Sequence, residues 1–228
     1  MKHSRRALFQ LVSIITTLAS GARADEPEPK ALPKVLLVGD SIRIAYQGLV
    51  AKNLDGKAVV TSPSGNCGDS SNIVKNLDAW VIKKQPDIVH FNCGIHDTKF
   101  FAATGKFQVS PEEYEANLRK IVERIRKETK ATVIFATTTP ILTDAAKKAR
   151  TKADYELTGA NVERYNSIAL KVMKELDVPV NDLHGVFPDK VALEKVMMGD
   201  GTHFGDKGSA ALAETVAKFI EGKMPIAK

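Results

Sequence analysis

Apolar residues recur along the chain with two different periods, and the switching between them predicts its architecture. Short runs rich in Val, Ile, Leu and Phe occupy Lys34–Val38, Lys57–Thr61, Asp87–Asn92, Thr132–Thr137 and Val178–Asp182. Most are continuous rather than alternating, the pattern of strands covered on both faces. Between them the apolar positions fall at helical spacing. Ser110-Pro111-Glu112-Glu113 reads as an N-cap, a proline at the first helical position and acids in the first turn. Tyr114, Leu118, Ile121, Val122 and Ile125 then line one face. Asn161–Leu176 and Gly205–Ile220 carry similar stripes, and Leu77, Trp80 and Val81 read as core packing of a helix after the second strand. Alternating strands and helices with short connections predict a parallel sheet with helices on both faces. Such sheets hold their ligands beyond the carboxyl ends of the strands.

The first thirty residues break this rhythm. Lys2, Arg5 and Arg6 precede an apolar run from Ala7 to Ser20, followed by Ala22-Arg23-Ala24. A basic start, an apolar middle and a small-x-small end predict a cleaved export signal over residues 1–24, with Asp25 as the mature start. The run is too short and too rich in Ser and Thr to stand as a membrane span, so no stable membrane anchor is expected. Ser4-Arg5-Arg6 also fits export of an already folded chain. Residues 25–33, with Pro27, Pro29 and Pro33 among acids, predict an extended linker, leaving 34–228 as a single domain in the periplasm or outside the cell.

Export also changes the meaning of the charge. The formal +6 of the 228 residues includes Lys2, Arg5, Arg6 and Arg23, so 29 basic residues remain against 27 acids in the mature chain, a formal +2. No basic stripe points to nucleic acid. The apolar and charged fractions, 43% and 26%, are those of an ordinary globular domain. Cys67 and Cys93 amount to one pair, which is not a disulfide scaffold.

Chemistry concentrates where strands end. The first strand stops at Gly39-Asp40-Ser41, the second runs into Ser62–Ser71 with Gly68, the third into Asn92–Asp97 with His96, and the last helix follows Asp200-Gly201-Thr202-His203. An acid and an imidazole three residues apart can turn toward each other. The carboxylate then holds Nδ1–H and leaves Nε2 free as a base. A serine hydroxyl needs such a base to become a nucleophile, and Ser41 is the candidate. Acyl transfer also needs donors for the developing oxyanion, which the Gly68 N–H and His96 could supply. Two rival chemistries draw on the same residue types. His90, His96, Asp97, His184, Asp200 and His203 could together hold a metal, although no tight ligand motif is present, and a flavodoxin-like sheet could hold a flavin.

These blocks resemble the SGNH hydrolases, also called GDSL-type esterases or lipases, over roughly residues 34–222. The match runs through Gly39-Asp40-Ser41, Gly68, Gly94-Ile95-His96-Asp97 and Asp200-Gly201-Thr202-His203. His96 stands where the family has asparagine. The resemblance implies an α/β fold, a three-layer α/β/α sandwich with a five-stranded parallel flavodoxin-like sheet. It further implies Ser41 as nucleophile, His203 as base, Asp200 as the acid that orients it, and Ser41 N–H, Gly68 N–H and the His96 side chain as oxyanion hole. No cofactor and no metal are implied. The substrate implied is a small-molecule or saccharide ester, with acetyl esters favoured by export. The altered third block leaves a non-catalytic carbohydrate-binding relative open, and acetyl transfer would use the same residues as hydrolysis. The family fold also brings Cys67 and Cys93 near one site, either as a disulfide joining two loops or as two buried free thiols. Lys147, Lys148, Arg150 and Lys152 read as a solvated face or a mobile loop, and His184 as a surface loop residue. The stretch between Thr138 and Gly159 is expected to frame the substrate entrance.

Overall fold

The computed structural model describes residues 31–224; the expected signal and most of the linker lie outside the described residues. In chain order the elements are β1 (Lys34–Val38), α1 (Ser41–Asn53), β2 (Val59–Thr61), α2 (Ser70–Trp80), β3 (Ile88–Phe91), β4 (Phe100–Phe101), β5 (Lys106–Phe107), α3 (Pro111–Glu128), β6 (Thr132–Ala136), α4 (Thr143–Ala149), α5 (Gly159–Glu175), β7 (Val180–Asn181), α6 (Lys190–Glu194) and α7 (Asp206–Glu221). Among the described residues five strands form one parallel sheet in the order β2-β1-β3-β6-β7. Strand order reverses beside β1, so the crevice of this doubly wound sheet opens beyond the ends of β1 and β3.

Each strand sends successive side chains to opposite faces, and both faces are buried. Leu36, Val38, Val89, Phe91, Val133 and Phe135 face one way, into a core completed by Leu77 of α2, Leu118 and Ile121 of α3 and Tyr165 and Val172 of α5. Val35, Leu37, Ile88, Ile134 and Ala136 face the other, against Tyr46 and Val50 of α1 and Leu212 and Val216 of α7. This two-sided burial is why the strands read as continuous apolar runs. In α3 the expected start is realised: the Ser110 hydroxyl accepts from the Glu113 N–H at 3.1 Å, and Tyr114, Leu118, Ile121, Val122 and Ile125 are buried. Trp80 packs at the margin of the first core.

The edge strands are shorter than expected. Residues 57 and 58 fold back onto α1, with both amides donating to the Leu54 carbonyl, so β2 starts only at Val59. At the other edge β7 keeps only Val180 and Asn181. The antiparallel β4–β5 hairpin was not foreseen. It is held by Phe100 paired with Phe107, whose rings lie 5.1 Å apart, a contact that no two-residue run announces.

Two residues from the candidate metal set are structural. His90 lies on β3 fully inside the sheet face, and its Nε2 accepts from Asn181 Nδ2 at 3.1 Å. Burial pushes its pKa down to about 4, so the ring is neutral in the fold. His184 donates from Nδ1 to the Thr138 carbonyl at 2.9 Å, and its own N–H donates to Thr137 Oγ1 at 2.9 Å. It pins the end of β6 and is not a free loop residue. Among the described residues no three His, Cys, Asp or Glu side chains gather as a metal site would require.

Candidate active site

Two segments, the start of α1 and the loop before α7, deliver the hydroxyl, the imidazole and the carboxylate to one place. Asp40 caps α1, its Oδ1 accepting from the Ile42 N–H at 2.9 Å, which starts the helix at Ser41 directly beyond β1. The Ser41 N–H belongs to the first turn, where helical amides lack intrahelical partners. Ser41 Oγ lies 2.8 Å from His203 Nε2. Across the ring, His203 Nδ1 lies 2.5 Å from Asp200 Oδ2. Asp200 Oδ1 also accepts from the backbone N–H groups of Thr202 at 3.0 Å and His203 at 2.9 Å. Partial burial works to raise the Asp200 pKa, but these hydrogen bonds, led by that of the His203 ring, prevail and bring it down to about 2. The carboxylate is therefore ionised and fixes the ring tautomer, with Nε2 turned to the serine.

The loop carrying this pair is anchored from below by a residue the sequence reading misjudged. Arg150 is not part of a solvated face: its guanidinium donates to the Asp200 carbonyl at 2.9 Å, to the Ala146 carbonyl at 3.2 Å and to Thr202 Oγ1 at 2.8 Å. Gly201 completes the seat, with φ +68 and with α4 so close that a Cβ would lie 2.5 Å from the Ala146 nitrogen. The stretch between Thr138 and Gly159, expected to frame an entrance, thus contains α4 and supports the acid–base loop. It also lines a cavity of about 340 Å³ with Lys147, Arg150, Asp154, Tyr155 and Glu156.

A second arginine holds the opposite wall. Arg43 is fully buried and donates to the carbonyls of Gly39 at 3.0 Å, Pro63 at 3.2 Å and Gly65, and to Gln47 Oε1. With the Cys67 N–H donating to the Gly39 carbonyl at 3.0 Å, it lashes the loop before Gly68 to the end of β1. The signal for it was present: Ile42, Arg43, Tyr46 and Val50 form the buried stripe of α1, and an arginine in such a stripe must find acceptors. Arg43→Lys keeps the charge but loses the fork that reaches several carbonyls at once. It is expected to lower kcat by about 10²-fold through misplacement of the loop. Steady-state kinetics check this, and an unchanged kcat would show that the loop is placed without Arg43.

The remaining predicted residues sit around this frame with less freedom than expected. The Gly68 N–H is already engaged, donating to Asn66 Oδ1 at 2.8 Å. His96 is half-buried at the end of β3, within electrostatic reach of Asp40 and His203, and burial lowers its pKa. Its Nε2 lies 3.5 Å from Asn66 Nδ2. Asn66 was absent from the sequence reading. Gly94 lets the chain turn before His96 with φ +149, where a Cβ would lie 2.1 Å from Thr138 Oγ1. Asp97 is fully buried, with Oδ1 accepting from the Ser70 N–H at 2.9 Å and Oδ2 without a partner; burial pushes its pKa up to about 7. Cys67 and Cys93 are both buried free thiols, so no disulfide joins the two loops. Burial raises the pKa of each, which keeps them protonated.

The chain is similar to known proteins in sequence and in fold. Residues 37–211 match the GDSL-like Lipase/Acylhydrolase family. A GDSL esterase/lipase, WDL1 of Oryza sativa subsp. japonica, is 25% identical over 141 residues, covering 60% of this chain and 54% of that protein. The chain therefore matches about half the length of this relative. A lipase/acylhydrolase from Enterococcus faecalis superposes with a TM-score of 0.71 at 20% identity, covering 86% of this chain and 100% of that one. The acetylxylan esterase Axe2 of Geobacillus stearothermophilus gives 0.65 at 18% identity, covering 86% and 96%. The acetyl xylan esterase AlAXEase gives 0.64 at 18% identity, covering 82% and 99%. No helix among the described residues is long and apolar enough to cross a membrane.

Proposed function

Since the chain belongs to the GDSL-like lipase/acylhydrolase family, we propose that it hydrolyses short-chain acyl esters, acetyl esters of saccharides in particular, through an acyl-enzyme on Ser41. The observation that carries this reading is the continuous chain of hydrogen bonds from Ser41 Oγ through His203 to Asp200. In the first half-reaction Ser41 Oγ attacks the ester carbonyl carbon while His203 Nε2 takes its proton. The Asp200 carboxylate stabilises the imidazolium that forms. Collapse of the tetrahedral intermediate breaks the bond to the alcohol, which leaves with the proton from Nε2. Water then repeats the sequence: His203 takes its proton, the oxygen attacks the acyl carbon, and Ser41 leaves with the proton restored. The oxyanion of both intermediates is met by the Ser41 N–H, with the His96 side chain as a further donor, while the Gly68 N–H is held by Asn66 Oδ1.

The lean toward saccharides rests on similarity of structure. Two of the structural neighbours are acetylxylan esterases. Initial rates on p-nitrophenyl acetate, butyrate and octanoate, with acetate release from acetylated xylan, test the reading. The expected kcat/KM is highest for acetyl and falls with chain length, and activity persists in excess EDTA. Rates that climb toward octanoate would overturn the short-acyl assignment, and no turnover of any ester would overturn esterase function itself.

A further inference from the structure

His96 removes from the third block the carboxamide that the resemblance implies there, yet a carboxamide from another loop reaches the His96 ring. Asn66 follows the Arg43-clamped segment and turns its side chain to His96, with Nδ2 and Nε2 3.5 Å apart. That separation is long for a hydrogen bond between the two nitrogens, since good N–H donors approach acceptors at about 2.9–3.0 Å. It is a natural separation for two donors that converge on one oxygen placed about 2.9 Å from each. Meanwhile the Gly68 N–H, the other donor implied by the resemblance, is spent on Asn66 Oδ1 at 2.8 Å. That bond fixes the amide rotamer and polarises the group, which strengthens Nδ2–H as a donor. The position is also held rigidly: the Cys67 N–H donates to Gly39, and Arg43 grips Gly65, so Asn66 lies between two anchored residues directly beside the end of β1.

We propose that the Asn66 side chain is a catalytic oxyanion donor of this esterase, its Nδ2–H acting with His96 Nε2–H and the Ser41 N–H, and that Gly68 contributes through Asn66. The proposal rests on the esterase reading above. In the tetrahedral intermediate the carbonyl oxygen becomes a full negative charge and draws both side-chain donors in. In the ground state the same oxygen is only weakly basic, so the contribution falls on kcat. Burial keeps the His96 ring neutral, so it carries one N–H.

Two variants separate a donor from a mere turn residue. Asn66→Asp retains the oxygen that accepts the Gly68 N–H and therefore retains the turn, but replaces the donor with a second acceptor. Asn66→Ala removes both. Asn66 is exposed, so neither change threatens the core. Steady-state kinetics on p-nitrophenyl acetate are expected to show kcat lowered by about 10²–10³-fold in Asn66→Ala, and at least as much in Asn66→Asp, with KM within about twofold of wild type. Asn66→Ala with wild-type kcat would overturn the proposal, because the freed Gly68 N–H would then suffice. An Asp variant that works while the Ala variant fails would also overturn it, assigning Asn66 to the turn alone. A loss carried wholly by KM would make it a ground-state contact and overturn it as well. Wild-type enzyme that turns over ester while Ser41→Ala does not, combined with unaffected Asn66 variants, removes this proposal and leaves the esterase reading intact. Wild type inactive on every ester removes both.

Discussion

Ser41→Ala is expected to lower kcat on p-nitrophenyl acetate by about 10⁶-fold, the scale on which a nucleophile deletion acts in a hydrolase of this kind. The cause is one-sided: without Oγ no acyl-enzyme forms, and what remains is attack by water in a site that still binds and polarises the ester. His203→Ala should fall to nearly the same level, since Ser41 Oγ then keeps its proton. Asp200→Asn should lose about 10⁴-fold, less than either, because Asp200 orients and stabilises the ring and does not itself react. The carboxylate accepts from the His203 ring and from two backbone amides, so the amide variant also disturbs the loop. The three groups act as a unit, so the triple variant is expected to be little slower than Ser41→Ala alone. A fluorophosphonate probe gives the independent readout: it labels wild type at Ser41 and leaves folded Ser41→Ala unlabelled. Labelling at another serine, or additive losses across the three variants, would show that the hydrogen-bonded chain is not the reaction path.

The second large effect is on stability. Asp97 has a folded pKa of about 7 against an ordinary carboxyl value of 3.8, caused first by burial. A raised folded pKa means that the stabilisation is fully present below the unfolded value and is lost as pH rises through the folded one. Ionising this carboxyl in the fold, with Oδ2 unpartnered, therefore costs roughly 3–4 kcal/mol by pH 8. Burial shifts Asp40 in the same direction. His90 works oppositely: its folded pKa of about 4 makes the protein lose stability as pH falls below 6.5, when the unfolded chain takes up the proton first. His96 shifts in the same sense as His90. Between about pH 4 and 6.5 the acids and imidazoles offset each other, and above 6.5 the carboxyls act alone. Urea unfolding of wild type should thus show a nearly level free energy in mild acid and a fall between pH 6.5 and 8. Asp97→Asn keeps an oxygen for the Ser70 N–H and cannot ionise, so it should resemble wild type below about pH 4 and exceed it by about 4 kcal/mol at pH 8. Parallel curves for the two proteins would refute the assignment.

The layered architecture was legible in the sequence because it depends on contacts that repeat. A strand buried on both faces must be apolar at every position, as Val35, Leu36, Leu37 and Val38 are, and a helix against a sheet must carry a stripe, as α3 does from Tyr114 to Ile125. The meeting of Ser41, His203 and Asp200 was legible for a related reason. Asp200 and His203 are three positions apart, so their meeting is local, and Ser41 lies directly beyond a strand whose direction fixes where a site can lie.

Tertiary structure alone decided which distant residues meet. The trimming of β2 and β7 reflects their edge positions, where one neighbour rather than two holds the backbone. Arg150 read as a surface charge until α4 brought it under the carbonyl of Asp200, fifty positions away. Arg43 found its carbonyls only because the loop after β2 folds back over the start of α1. Cys67 and Cys93 lie in the loops after β2 and β3 yet remain separate thiols, since pairing requires side chains aimed at each other and not simply loops at one end of a sheet. Asn66 meets His96 through the packing of the loop after β2 against the loop after β3. No spacing of apolar residues encodes that contact, because it joins side chains thirty positions apart whose neighbourhood exists only once β1 lies between β2 and β3.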